Sequence, residues 1–249
     1  MGKTTTSINL SSALDWFRRE VIVMDANFDN PDIGINLGAE LVDKTLHTAL
    51  RGDHHIKESI YLHPSGLKLI PGCISYEASR MGKRENLPLI MNDLAGAAEV
   101  IIVDTTPGLG EDTRTLISAV DHCIIVTTPD LCSVSNSLKM VKLAEELKTN
   151  VIGVVVMRVE GDETEIDTKN IEYILKRKVL GSVPADPMIK QAEKHKNPVV
   201  FLYPNTIASN EFKKIAASLI GEEYVPHIEE YQNDSTLQLA LKAFGLKKY

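Results

Sequence analysis

Three short stretches carry residues whose types and order fit phosphate chemistry. In the opening MGKTTTSINL, Gly2 lets backbone approach a phosphate, Lys3 can meet its charge, and Thr4 offers a hydroxyl to a divalent cation. In VIIVDTTPGLG (100–110) an apolar run ends on Asp104 and a turn follows at Pro107 and Gly108. An acid placed there can hold the water shell of Mg2+, and a glycine turn beside it can respond to a terminal phosphate. In VIVMDANFDNPDIG (21–34) a second apolar run ends on Asp25, with Asn27 and Asp29 just beyond. Any one such Asp reads equally well as a turn or helix cap. The three stretches together, in their order along the chain, read as one nucleotide site.

Such a site needs strands that deliver the two acids and a helix whose positive end meets the phosphate. Short runs rich in Val and Ile recur along the chain: VIVMD (21–25), LKLIPG (67–72), VIIVD (100–104), CIIVTTP (123–129), VIGVVVM (151–157), KVLGSVP (178–184) and PVVFLYP (198–204). They are continuous rather than alternating, which predicts strands covered on both faces. Helical spacing fills the intervals, with Ile8, Leu14 and Phe17 expected near one face of the first helix. The pattern predicts an α/β fold, a mostly parallel sheet with helices on both faces. A core over 1–221, an acidic linker over 222–234 and a short amphipathic helix over 235–249 follow from the shift in composition after SLIG.

Composition narrows the function. Of 249 residues 43% are hydrophobic, enough for a proper core, and the formal charge of -7 provides no bulk attraction for nucleic acid. Cys73, Cys123 and Cys132 are far apart and form no C-x-x-C pair. No apolar run approaches the roughly 18 to 20 residues that span a bilayer, so a cytoplasmic protein, at most peripheral on the inner face of the membrane, is expected. His47, His54, His55 and His63 read as a solvated loop rather than a metal site. DPMIKQAEKHK reads as an exposed helix with Asp186 as N-cap and Pro187 at its first position; its Lys190, Lys194 and Lys196 complement the helix dipole or, alternatively, form a DNA-contacting patch.

On these motifs the chain resembles the MinD/ParA family of P-loop ATPases, most closely its archaeal MinD-like branch, from Gly2 to about Gly221. The resemblance implies a SIMIBI-type P-loop NTPase fold, ATP and Mg2+ as cofactors, and hydrolysis of ATP in a dimerisation cycle that positions or regulates partners at the membrane, as in cell division. It places Lys3 on the β- and γ-phosphates, Thr4 on the metal, Thr5 near the α-phosphate and Asp104 as the Walker B acid. Asp25 matches the first aspartate of the family's D-x-D segment, and Pro107 and Gly108 its second switch. Arg158, Pro184 and Asp186 are left to recognise the base, because Met157 stands where the family usually has Asn.

Two further departures shape the expectations. Asn27 replaces the second aspartate, which in the family orients the attacking water; an amide cannot take a proton as a carboxylate does, so either hydrolysis is slow or Asp29 substitutes. The family's deviant loop, K-G-G-x-G-K-[ST], is represented only by Gly2, Lys3 and Thr4, so the fold is expected to lack its first strand and the loop's first lysine. In the family fold that strand lies between 100–104 and 123–127. Its loss would leave backbone groups unpaired at about 1 to 3 kcal/mol each, against a net stability of about 5 to 15 kcal/mol. A truncated start is therefore expected, with ATP hydrolysis wherever the upstream half of the loop is present.

The tail STLQLALKAFGLKKY, read as a helix, gathers Leu237, Leu241 and Phe244 in a narrow arc with Lys242, Lys247 and Lys248 nearby. It either touches membrane, as the terminal helix of the MinD branch does, or docks on protein. The expected partners are nucleotide, a second copy of the chain when ATP is bound, an unidentified protein and the membrane surface. Two alternatives stay open: a non-hydrolysing nucleotide-gated scaffold, suggested by Asn27, and a ParA-type DNA partition ATPase.

Overall fold

The computed structural model describes residues 2–75 and 83–226. The tail helix expected over 235–249 and most of the acidic linker lie outside the described residues. Strand β1 (Val21–Ala26) is buried at every position, as its unbroken apolar run requires. It pairs in parallel with β3 (Lys68–Ile70) on one side and β4 (Val100–Thr105) on the other, while β2 (Tyr61–Leu62) joins β3 antiparallel. The order is β2-β3-β1-β4. A second sheet, all parallel, has the order β5-β6-β7, from β5 (His122–Thr127), β6 (Asn150–Val159) and β7 (Val179–Pro184).

β4 and β5 are each the last strand of their sheet, so the sheet is in two pieces at the place where the family resemblance puts one more strand. Most positions of both strands are only partly covered, in contrast to β1. The sheets have not closed up, and one helical layer serves both. Leu10, Ala13 and Leu14 of α1 (Lys3–Trp16) and Phe212, Ile215 and Ala216 of α10 (Ile207–Ile220) pack with Val21 and Ile102 of the first sheet and Val155 and Val183 of the second. On the opposite face, α3 (Leu46–Arg51), α4 (Leu87–Leu94) and α5 (Glu111–Ser118) cover β1 and β4. α6 (Leu131–Glu146) and α7 (Thr168–Leu175) cover β5 and β6. A short α2 (Ile33–Leu37) follows the loop after β1, and α8 (Pro187–Lys194) and α9 (Val199–Leu202) precede α10. Helices lie on both faces of a mostly parallel sheet, as expected.

Three expectations are corrected. PVVFLYP is not a strand: 199–202 form α9, whose first amides, Val199 and Val200, donate to Asn9 Oδ1 at 2.7 and 3.4 Å. The first helix shows no single apolar face, since all positions from Thr6 to Leu14 are buried; Ile8 joins Val23 and Leu69 in one cluster while Leu14 joins another. His47 and His63 are not solvated but 1% and 6% exposed. Among the described residues no helix is long and apolar enough to cross a membrane.

Candidate nucleotide site

The site forms where α1 begins. Gly2 takes φ 83°, a left-handed conformation that glycine adopts freely, and a Cβ there would meet the Met157 side chain at 3.5 Å. Thr6 makes the first rung of the helix, N–H to Gly2 O at 2.9 Å. The amides of residues 3–5 therefore precede the ladder, at the positive end of the helix. Asn9 steadies this turn from within, donating through Nδ2 to Thr5 O at 2.8 Å.

Asp104 and Asp25 stand opposite each other in the parallel ladder, at 1% and 0% exposure. Thr4 Oγ1 donates to Asp104 Oδ2 at 2.6 Å and Ser7 Oγ to Oδ1 at 3.1 Å, so the loop hydroxyl and the strand acid meet directly. Burial pushes the Asp104 carboxyl above its ordinary range, opposed by these hydroxyls and by the Lys3 charge. Asp25 has different partners: Oδ2 accepts from Ile33 N at 2.8 Å and Oδ1 from Asn27 N at 3.2 Å, wrapping the loop after β1 around it. Burial pushes its pKa up to about 8 against the pull of those amides, with Asp104's charge adding to the rise. Asn27 is buried, and its Oδ1 accepts from Asn30 N at 3.3 Å.

The structure thus brings Gly2, Lys3, Thr4, Asp25, Asn27 and Asp104 together. Pro107 and Gly108 follow as an exposed turn, Gly108 at φ 100°, anchored behind by buried Thr106 and Thr113, whose hydroxyls are 3.2 Å apart. On the second sheet, Met157 is core and packs beside Gly2, and Arg158 beyond it is exposed with φ 59°. Pro184 sits opposite Val159 in the ladder. Asp186 is the N-cap of α8, accepting from Met188 N at 2.8 Å, and its other oxygen accepts from Ala208 N at 3.3 Å. Thr5 Oγ1 donates to Glu193 Oε1 of α8 at 3.2 Å, joining the phosphate end of α1 to the second sheet's loops.

Sequence reasoning did not single out Ser7, although its position three residues after Thr4 places both hydroxyls on one helix face. Glu193 and Arg84 carried no local signal. Hard oxygen donors at a helix N-terminus fit Mg2+, which is held by one or two protein oxygens together with substrate phosphates. Thr4 Oγ1 and Asp104, in hydrogen-bond contact, are such a pair. Among the described residues no cluster of three or more His, Cys, Asp or Glu forms an all-protein metal cage.

The model of the CobQ/CobB/MinD/ParA nucleotide binding domain matches residues 1–199. The chain belongs to this family. Among its MinD/ParA relatives, an uncharacterized ATP-binding protein of Methanocaldococcus jannaschii is 35% identical over 98% of this chain and 92% of its own length. The septum site-determining protein MinD of Bacillus subtilis is 26% identical over 99% of this chain and 95% of its own. Among solved structures, MinD of Pyrococcus horikoshii, complexed with Mg-ADP, superposes with a TM-score of 0.83 at 25% identity, covering 88% of this chain and 90% of that one. These likenesses identify a MinD/ParA-family P-loop protein of the ATP-binding class.

Proposed function

We propose that this protein hydrolyses ATP in a MinD-like cycle of dimerisation, in which nucleotide state controls its partners at the membrane. The observation that carries the reading is the 2.6 Å contact between Thr4 Oγ1 and Asp104 Oδ2 at the start of α1. Thr4 and, through water, Asp104 would hold Mg2+, which when bound neutralises phosphate charge. Lys3 and the free amides of the first turn bind the phosphates, with Thr5 at the α-phosphate. Asp25 shapes the loop that carries Asn27, whose amide orients the attacking water. Pro107 and Gly108 sense the terminal phosphate. The base lies toward Arg158, Pro184 and Asp186; the last has both oxygens engaged by backbone, so its part is to set the loop. Support for the membrane and dimer steps comes from the MinD likeness. Residues 235–249 would make the membrane contact from a cytoplasmic protein, and no nucleic-acid partner is expected.

Phosphate release from ATP, with Mg2+ or with chelator, tests the reading. Mg2+-dependent release that Lys3→Ala abolishes is the expected result; tight ATP binding without release would overturn hydrolysis. Asn27 favours a second reading, a nucleotide-gated scaffold that binds without turnover. There Asn27→Asp would raise release by about tenfold or more, since it restores a proton acceptor. Sedimentation with liposomes, with ATP or ADP and with or without 235–249, checks the membrane step; tail-independent binding would overturn it.

A further inference from the structure

Arg84 opens a 3₁₀ turn (Arg84–Asn86) just before α4. That turn is pinned to the core by Asn86 Nδ2, which donates to Leu50 O at 3.1 Å, and by fully buried Leu87. From it the guanidinium reaches two elements at once. Its carbon lies 5.1 Å from the centroid of the Phe28 ring, and Nη2 donates to Asp29 Oδ1 at 3.5 Å, both in the loop after β1. Nη1 pairs with Asp112 Oδ2 in the first turn of α5, immediately after the turn that holds Pro107 and Gly108. Asp29, Arg84, Thr106, Pro107, Gly110 and Asp112 line a common polar cavity of about 210 Å³.

We propose that Arg84 is a positioning residue that ties the Asn27–Asp29 loop to the Pro107–Gly110 turn, so that the two nucleotide-facing segments move as one. An exposed ion pair by itself contributes little. Here one rigid plane makes three contacts, and its ring platform, Phe28, is 1% exposed and does not yield. A guanidinium can present separate N–H edges to two carboxylates in a fixed planar fork while its face stays stacked on a ring; an ammonium is a compact point charge and fixes no such geometry. The link gives the loop carrying Asn27 a direct mechanical report of the turn that follows Asp104.

The functional consequence rests on the ATPase reading, but the coupling itself does not, so the test has two arms. Hydrogen exchange on the full chain without nucleotide compares wild type, Asp112→Asn and Arg84→Lys. Removing the Asp112 charge frees the guanidinium, so exchange should rise about threefold or more over 27–32, as well as over 106–116. Arg84→Lys, which loses the fork, should do the same at 27–32. Change confined to 106–116 in Asp112→Asn would overturn the coupling. In steady-state hydrolysis, Arg84→Met should lower kcat about tenfold while KM for ATP moves less than about threefold, because alignment rather than binding is lost. Unchanged kcat would overturn the positioning role. If Arg84→Met does not fold, Asp29→Asn carries the same kinetic expectation. If wild type releases no phosphate, the hydrolysis reading fails and the exchange arm alone decides the coupling.

Discussion

Asp25 and Asp104 occupy matching places at the carboxyl ends of adjacent parallel strands, both buried, yet their partners differ in kind. Asp104 accepts from two hydroxyls, those of Thr4 and Ser7. Hydroxyls rotate, so Asp104 can exchange one for a metal-bound water at little cost. Asp25 accepts from two backbone amides, Asn27 and Ile33, which cannot turn away. One acid is therefore free to change partners and the other is committed to the shape of a loop. Two carboxylates that look alike in sequence are separated by what donates to them.

The largest effect should come from breaking the Asp104 side. Asp104→Asn would present an amide to the two hydroxyls, which can reorient to meet it, so denaturant stability should shift by no more than about 1 kcal/mol. Hydrolysis should fall by about a hundredfold, because metal positioning loses its charge. A stability loss as severe as the activity loss would erase the distinction drawn between the two acids. On the other side, Asp25→Ala strips partners from two buried amides at about 1 to 3 kcal/mol each. Global stability should change less than that sum, since the substitution also removes the burial cost that drives this carboxyl to about 8. The loss should appear locally, as exchange at Asn27 and Ile33 faster by about tenfold or more. Unchanged exchange there would show that the loop holds its shape without Asp25.

Both acids were legible because each closes an unbroken apolar run, VIVMD or VIIVD, where a charged residue type stands out even though the fold buries it. The glycine–lysine–threonine turn was legible for a similar reason, since few other combinations suit the start of a helix facing phosphate. What stayed hidden depended on distant partners. Val199 to Leu202 form a helix because Asn9, at the other end of the chain, accepts from their first amides; four apolar residues alone cannot distinguish the two structures. Burial all round α1 likewise follows from two sheets and α10 closing on it, while its hydroxyls find partners inside, as Ser11 does at Ser7 O. Arg84 lies in a stretch without periodicity, and only the folded chain shows that it spans two loops.

The smallest effect separates the two acids by pH. His47 Nδ1 accepts from Cys73 N at 2.9 Å, which leaves Nε2 to carry the proton toward Phe28 O at 3.1 Å. His47 thus grips the loop that Asp25 shapes and does not touch the Thr4–Asp104 pair. Burial holds its pKa below the ordinary value, helped by the charges of Arg84 and Arg51 and opposed by the Phe28 carbonyl and Asp29. The folded pKa lies below the unfolded one, so between the two values the folded state binds fewer protons than the unfolded state. The neutral ring's contribution is complete above about 6.5 and is lost as pH falls toward the folded value, by at most about 1.4 kcal/mol per unit. His47→Gln removes that titration and leaves every other group in place. Between pH 7 and 5, wild type should lose urea stability more steeply than the variant, with exchange at 27–33 rising alongside. Parallel slopes in the two proteins would show that acid acts elsewhere, and would detach His47 from the loop's side of the comparison.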